Sequence, residues 1–299
     1  QADLYKLLGD LLSGTSKFKE AIQAYNDWMD FTGEQDSKVY ARIAQGYYEL
    51  KQYSKVVEPA NKAIELEKEP NKQYHMIKIG AFFELKKYRE AVKVAETLVK
   101  LFPEDPQSWT RLGSFYMQTE QYAQGQTVME VAYKKGYFEK ENHYKILGSY
   151  YSLNDIPYKA AVVFEKAIKD GKIERVKKNV TATASYYHQA KNLVTAAKYY
   201  EEAAKFDDDA ELYRKAGSLL LTEQKFSAAV KRLNKALELG IEKKGMTYTD
   251  LAEAYLYQEK YKKAYQAIVE AQKDSRTRKF AKGWATFIKD KAQRKGVKI

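Results

Sequence analysis

The chain has 299 residues, of which 44% are apolar and 31% are charged, and it contains no cysteine. The lack of cysteine excludes disulfide bonds, thiolate nucleophiles and cysteine-ligated metal sites, and no apolar run approaches the roughly 18 residues that a membrane-spanning helix needs. The formal net charge is +12, but nine bases against one acid between Arg276 and Ile299 give that segment +8. The rest of the chain therefore carries only +4, which does not favour a continuous phosphate-binding groove.

An internal repeat extends along the whole chain. In each unit an aromatic or apolar residue is followed three residues later by a mostly small one, and successive units lie 33 to 36 residues apart. These second positions are, in chain order, Ala21, Val56, Ala91, Gly125, Ala160, Ala196, Ala229 and Ala264. A fixed period of this length is typical of solenoid architectures.

A second small residue lies twelve positions earlier in seven of the eight units. These positions are Gly9, Ala44, Gly113, Gly148, Ala184, Gly217 and Ala252, with Ile79 in the third unit. The apolar spacing follows the helical period of about 3.6 residues, so each unit is predicted to form two helices that cross where both have small residues. Turns between units are predicted at Gly33, Pro70, Pro103, Pro106, Gly136, Gly171, Gly240 and Gly245.

Two units carry the clearest family resemblance. One has Trp109, Leu112, Gly113, Tyr116, Tyr122 and Ala132, and the next has Tyr144, Leu147, Gly148, Tyr151, Ala160, Phe164 and Ala167. These residues resemble the consensus of the tetratricopeptide (TPR) repeat, and the resemblance covers about residues 2–272. It implies an all-α fold, a right-handed superhelical TPR solenoid of about eight helix-turn-helix repeats, with the first helices lining a concave groove.

The two ends of the predicted array differ. Residues 1–275 are predicted to form the TPR array, and residues 276–299 a basic C-terminal capping helix and tail. We expect Phe280, Trp284, Phe287 and Ile288 to cover the apolar edge of the last repeat. Leu4, Leu8, Leu11 and Leu12 begin almost at the first residue. This start suggests either native residues before Gln1 or a homodimer through an uncapped N-terminal repeat.

The sequence offers no catalytic or metal-binding constellation. His75, His143 and His188 lie in three different repeats without ligand spacing, and there is no nucleophile elbow, phosphate loop or zinc-protease motif. We therefore predict no enzymatic activity, no cofactor and no metal site.

Candidate partner-binding residues follow the small residue of the first helix in four consecutive repeats. The serines are Ser114, Ser149, Ser185 and Ser218; the basic side chains around them are Arg111, Lys145, Lys178, His188, Arg214 and Lys215; and the aromatic anchors are Tyr48 and Tyr257. Such a groove would bind an extended peptide through hydrogen bonds and charge contacts. The equally weighted alternative is that serine is merely the small polar residue that a tight concave surface tolerates. Lys145 is followed four residues later by Ser149 instead of Asn, which disfavours a carboxylate clamp of the chaperone type.

A narrower resemblance involves residues 153–179 ("LNDIPYKAAVVFEKAIKDGKIERVKKN") and residues 277–288 ("TRKFAKGWATFI"). Both are similar to TPR proteins of marine gammaproteobacteria encoded beside a TonB, ExbB and ExbD energy-transduction system. The resemblance implies a periplasmic accessory of iron-siderophore uptake that contacts components of that complex and has lost its signal peptide. A cytoplasmic location remains an alternative.

Two rival functions remain open at this stage. One is a general envelope-assembly TPR scaffold unrelated to TonB, and the other is an RNA-binding helical repeat, which the near-neutral body and the varied groove positions disfavour. The basic C-terminal helix is either a solvated face or a contact for anionic lipid headgroups or an acidic partner.

Overall fold

The computed structural model describes residues 2–299, and over this range it contains only helices and the turns between them. The all-α prediction is confirmed. The chain divides into two compact units, Gln1–Glu139 and Lys140–Ile299. No helix in the described range is both long and apolar enough to cross a membrane.

The first unit contains four helix pairs. The helices are α1 (Ala2–Gly14), α2 (Phe18–Thr32), α3 (Ser37–Glu49), α4 (Val57–Glu65, preceded by a 3-10 turn at Tyr53–Lys55), α5 (Lys72–Glu84), α6 (Tyr88–Leu101), α7 (Pro106–Gln118) and α8 (Tyr122–Lys134). Pro106 is the first residue of α7, where a missing backbone N–H costs the helix nothing. The exposed leucines of α1 are Leu4, Leu7, Leu8 and Leu11. The expectation that residues precede Gln1 concerns chain outside the described residues.

The second unit contains four further pairs and a final helix. They are α9 (Glu141–Leu153), α10 (Pro157–Lys169), α11 (Lys177–Gln189), α12 (Leu193–Ala204), α13 (Ala210–Thr222), α14 (Phe226–Glu238), α15 (Lys244–Tyr257), α16 (Tyr261–Ala271) and α17 (Arg278–Arg294). Gly245, predicted to lie in a turn, instead belongs to α15, where a β-carbon would come within 2.5 Å of Asp274 Cβ. The tight contact with the chain before α17 explains why glycine is present there.

Every pair turns at one residue in the left-handed backbone region. The eight residues, with φ between 55° and 61°, are Ser16, Lys51, Lys86, Glu120, Asp155, Lys191, Gln224 and Glu259. None of them is glycine, although side chains normally disfavour positive φ. The turn within a pair is therefore set by packing of the two helices, which explains why glycine and proline marked only turns between pairs.

The sequence predicts that small residues of the two helices face each other where a pair crosses. The structure shows a different contact. A β-carbon on Gly217 would lie 2.7 Å from Leu233 Cγ, and one on Gly148 would lie 2.5 Å from Phe164 Cε2. In both pairs the large side chain lies one turn beyond the small residue of the second helix. Glycine thus makes room for a buried Leu or Phe, which fills more apolar volume than alanine would.

The final helix caps the second unit with Ile288, as expected, and with three alanines, whereas Phe280 and Phe287 do not cover the core as expected. Ala281, Ala285, Ile288 and Ala292 are buried in the core. Trp284 is only partly buried, while Phe280 and Phe287 remain 51% exposed. The four buried residues share one helix face, and the three alanines among them let α17 pack closely, so the aromatic side chains are turned to the flank of the helix.

Candidate functional site

The predicted partner-binding residues divide between the two units. Tyr48, Arg111 and Ser114 belong to the first unit, and the other nine belong to the second. They remain predictions as binding residues, and the structure defines the surroundings of each.

In the first unit the three residues are engaged within their own repeat or with a neighbouring one. Tyr48 is half-buried, contacts Tyr53 edge-on at 5.3 Å, and lies over Gly80, where a β-carbon would come within 2.9 Å of its ring. Arg111 directs Nη1 to the sulfur of Met76 at 2.8 Å, and burial lowers the pKa of its guanidinium. Ser114 Oγ donates to its own helix, to the carbonyl of Thr110.

Four residues of α9 and α11 do not form one cluster. Lys145 pairs with Glu141 on the same helix, and Ser149 hydrogen-bonds with Tyr186. Lys178 is exposed at the start of α11, and Ser185 is half-buried in the same helix.

His188 and Lys215 instead meet around one tyrosine. The His188 ring lies edge-on to Tyr200, with centroids 6.1 Å apart, and Lys215 Nζ lies 4.4 Å above the same ring. Burial lowers the pKa of His188, and the positive charges of Lys215 and Lys191 lower it further. His188 is therefore held in its neutral form, in which it cannot act as a cation toward a partner.

The remaining three residues, Arg214, Ser218 and Tyr257, line a single cavity of about 560 Å³ on α13 and α15. We call it the Asp250 pocket. Its complete lining is Arg214, Ser218, Leu221, Thr222, Gln224, Phe226, Met246, Asp250, Glu253 and Tyr257.

One side of the Asp250 pocket is acidic. Ser218 Oγ donates a hydrogen bond to Asp250 Oδ2 at 2.5 Å. Burial raises the pKa of the Asp250 carboxyl, although the hydrogen bond from Ser218 and the charge of Arg214 act to lower it. Burial also raises the pKa of Glu253, and the nearby charge of Asp250 adds to that effect. The pocket therefore holds two partly desolvated carboxyl groups three residues apart on one helix.

The single basic side chain of the pocket is already engaged. Arg214 Nε lies 3.3 Å from Glu211 Oε2, and Glu211 also pairs with Lys243 at 3.4 Å. Within residues 2–299 neither Asp250 nor Glu253 has a basic side chain within ion-pairing distance. The charge of Arg214 acts on Asp250 from within the pocket, but neither carboxyl group forms the ion pair that partly buried acids usually have.

The other side of the pocket is apolar and aromatic. Phe226 and Tyr257 stack with centroids 5.0 Å apart and ring planes 12° apart. Tyr257 is 62% exposed, and Met246 is also exposed beside it. Aromatic side chains that are held by stacking and exposed, as Tyr257 is, commonly serve as anchor residues at protein interfaces.

The acidic residues of this pocket were missed by the sequence argument, although a signal was present. Glu253 follows Ala252 as Ser218 follows Gly217, so it occupies the repeat position of the four serines one unit later. The serine series of four consecutive repeats thus ends in a glutamate in the next repeat. The consequence is a pocket with acidic character where basic side chains were expected.

No group of three or more His, Cys, Asp or Glu side chains that could hold a metal ion occurs within the described range. His75 is buried in α5 near Glu67, whereas His143 begins α9 and His188 lies in α11.

Comparisons with known proteins agree with the architecture. The TPR family model matches residues 80–135, which include α6, α7 and α8. The C-terminal part of a TPR repeat-containing protein from Cytophaga hutchinsonii is 16% identical, with a TM-score of 0.51, over 92% of this chain and 96% of that one. A chain of the Naa15/Naa10 complex bound to HypK-THB is 12% identical, with a TM-score of 0.53, over 97% of this chain and 61% of that one. No curated protein sequence matches this chain.

The fold defines a helical-repeat protein, built from paired helices of constant period. The paired helices are similar to those of tetratricopeptide repeat proteins, and the match to the family model itself covers residues 80–135.

Proposed function

We propose that the chain is a non-enzymatic scaffold that binds a segment of a partner protein in the Asp250 pocket. TPR proteins serve as protein-interaction scaffolds, and the structural neighbour in the Naa15/Naa10 complex is itself part of a protein assembly. The observation that supports this site is the pair of carboxyl groups, Asp250 and Glu253, which lie in one pocket with a stacked aromatic pair and form no ion pair.

The chemistry of the pocket favours a particular partner segment. A Lys or Arg side chain would place its charge against Asp250 and Glu253, and charge-assisted hydrogen bonds to carboxylates are stronger than neutral ones. An apolar neighbour in the segment would pack on Tyr257 and Met246. The proposed ligand is therefore a basic residue beside an apolar one.

A peptide pair that differs only in charge tests this proposal. The blocked peptide Ala-Leu-Arg-Leu-Ala and its citrulline counterpart would be titrated into the protein, with binding measured by calorimetry. We expect the arginine peptide to bind about tenfold more tightly. In D250N/E253Q this preference should disappear, whereas E238Q/E242Q, which removes two exposed carboxylates outside the pocket, should keep it. Equal binding of both peptides to the unmodified protein would contradict the proposal.

The binding should also depend on pH in a defined direction. Because burial raises the pKa of Asp250, this carboxyl takes up a proton at a higher pH than an ordinary aspartate. A cation prefers the ionised form, so affinity for the arginine peptide should decline on acidification before exposed carboxylates titrate.

A narrower proposal concerns the cellular role. We propose that the scaffold is a periplasmic accessory of a TonB, ExbB and ExbD transport system for iron carriers, and the support is the sequence resemblance of residues 153–179 and 277–288. Affinity capture from envelope extract, with unmodified protein compared with D250N/E253Q, tests it. Recovery of TonB, ExbB or ExbD with the unmodified protein supports the role, and loss of that recovery in the variant would assign the contact to the pocket. Recovery of other envelope proteins alone supports the general scaffold and rejects the TonB role.

A further inference from the structure

Helix α17 exposes a row of aromatic side chains. Phe280, Trp284 and Phe287 are spaced at i, i+4 and i+7, which places them on one side of the helix. Their ring centroids are 5.5 Å apart between Phe280 and Trp284 and 6.3 Å apart between Trp284 and Phe287. We call these three residues the aromatic stripe. It lies on the flank of α17, beside the small residues that the helix buries against its own unit.

Basic side chains extend the same flank. Lys291 follows Phe287 by four residues and places Nζ 5.8 Å from the centroid of its ring. Arg294 follows one turn later on the same side, paired with Asp290 at 2.9 Å. The segment from Arg276 to Ile299 carries nine bases and one acid, two-thirds of the net charge of the chain. The stripe is therefore an apolar ridge within a strongly positive segment.

Two lysines lie on the far side of the helix. Lys282 precedes Trp284 by two residues, and Lys289 follows Phe287 by two. Two residues are separated by about 200° around a helix axis, so these lysines face away from the aromatic stripe. Both are exposed. These two lysines carry the same charge as Lys291 and Arg294 but lie on a different face of the helix.

We propose that the aromatic stripe of α17 docks this protein onto a membrane surface rich in anionic phospholipid. Aromatic side chains lie favourably at the boundary between headgroups and acyl chains, and flanking Lys and Arg are attracted to anionic headgroups. This surface is separate from the Asp250 pocket, so the proposal does not depend on the proposed function.

The ring geometry favours lipid over single-stranded nucleic acid as the anionic partner. Nucleic-acid bases stack on aromatic faces that are open and separate. Here Phe280 and Trp284 are tilted by 36° and in contact, and Phe287 meets Trp284 at 62°. The rings thus cover one another and form a continuous ridge, which is suited to insertion among acyl chains.

Sedimentation with vesicles tests the proposal on the full chain. Vesicles of phosphatidylcholine mixed with phosphatidylglycerol should bind the protein, vesicles of phosphatidylcholine alone should not, and added salt should weaken binding. F280A/F287A should weaken it by about tenfold or more, because two exposed rings no longer insert. F31A/F206A, which removes two equally exposed rings elsewhere, is the control and should bind as the unmodified protein does.

The two pairs of basic residues provide a charge-matched comparison. K291Q/R294Q should weaken vesicle binding severalfold, whereas K282Q/K289Q should have a much smaller effect, because only the first pair lies beside the stripe. Equal losses in both variants, or tighter binding to a single-stranded RNA than to the mixed vesicles, would show a general polyanion surface and overturn the proposal.

The fluorescence of Trp284 reports insertion directly. On binding to mixed vesicles carrying brominated acyl chains, tryptophan emission should be quenched. The quenching should be lost in W284F, because the other two tryptophans, the buried Trp28 and Trp109 of α7, are not part of the aromatic stripe. Retained quenching in W284F, or vesicle binding unaffected by F280A/F287A, would show that another surface contacts the lipid.

Discussion

At the scale of single residues, glycine has opposite roles at two helical positions. Gly217 in α13 faces Leu233, which is fully buried, and a β-carbon there would come 2.7 Å from Leu233 Cγ and 3.2 Å from its backbone nitrogen. Gly283 in α17 has open space around it, with no atom within 4 Å of a β-carbon. The first glycine is required by packing, and the second only lowers helix propensity.

The pair predicts stability changes of opposite sign. G217A should destabilise the protein by about 1–3 kcal/mol, because the methyl group overpacks a site that cannot yield. G283A should stabilise it by up to about 1 kcal/mol, the gain in propensity from glycine to alanine within a helix. Urea unfolding followed by circular dichroism measures both, and a stabilising G217A would contradict the packing argument.

At the scale of elements, aspartate N-caps join neighbouring repeats. Asp36, Asp105 and Asp209 cap α3, α7 and α13 by accepting backbone N–H groups. Each also pairs with a lysine one repeat earlier, Lys6, Lys72 and Lys177, at 2.6 to 2.7 Å. One carboxyl thus satisfies a helix end and fixes the next repeat against the previous one.

These caps predict a pH-dependent stability. Burial acts to raise the pKa of Asp209, but hydrogen bonds from Lys177 and the Leu212 N–H outweigh it, so the pKa lies below its usual value. The stabilisation is therefore present above the ordinary aspartate pKa of about 3.9 and is lost as the pH falls through the lower folded value. D209N, which keeps the cap and removes the charge, should cost about 1 kcal/mol at neutral pH.

The difference in unfolding free energy between the unmodified protein and D209N should shrink toward zero in acid. Urea unfolding of the unmodified protein and D209N at neutral pH and near pH 3 measures it. D208N, at the exposed carboxyl beside it, should show little difference at either pH. A D209N deficit that persists unchanged in acid would contradict the charge argument.

At the scale of the whole molecule, the exposed leucines of α1 are unusual because they form one stripe. Leu4, Leu7, Leu8 and Leu11 have the i, i+3, i+4, i+7 spacing of a helix face that normally packs against a neighbour. A second copy of the chain is the partner that this stripe would take in a homodimer. An exposed apolar stripe favours association of the protein with another apolar surface in water.

We expect the chain to form a dimer through this stripe. Light scattering coupled to size exclusion should give twice the mass of the 34.6 kDa chain. L7Q/L11Q should shift it to a monomer, because two polar groups would lose hydration in the apolar interface. L101Q/L153Q, at exposed leucines of α6 and α9, is the matched control. A monomeric mass for the unmodified protein would contradict the prediction.

Periodicity was sufficient to predict the helix pairs, because helical spacing and repeat length are local properties of the chain. The small residues at Gly148 and Gly217 identified the crossings, although not that Phe164 and Leu233 occupy them. Of the predicted binding residues, Arg214, Ser218 and Tyr257 line one pocket. The serine series indicated the repeat position but not its change to Glu253. The meeting of Asp250 and Glu253 with Ser218 in one pocket depends on how α13 packs on α15.

Helix α17 shows the same difference between what local sequence predicts and what packing decides. The amphipathic spacing of its aromatic residues predicted a capping helix, but not which face the helix buries. Ala281, Ala285 and Ala292 pack into the core beside Ile288, because small side chains allow the closest approach of helix backbones. Local sequence is enough to specify an element and its period. Which side chains are buried, and which are left to bind a partner, follows from the fit between neighbouring helices.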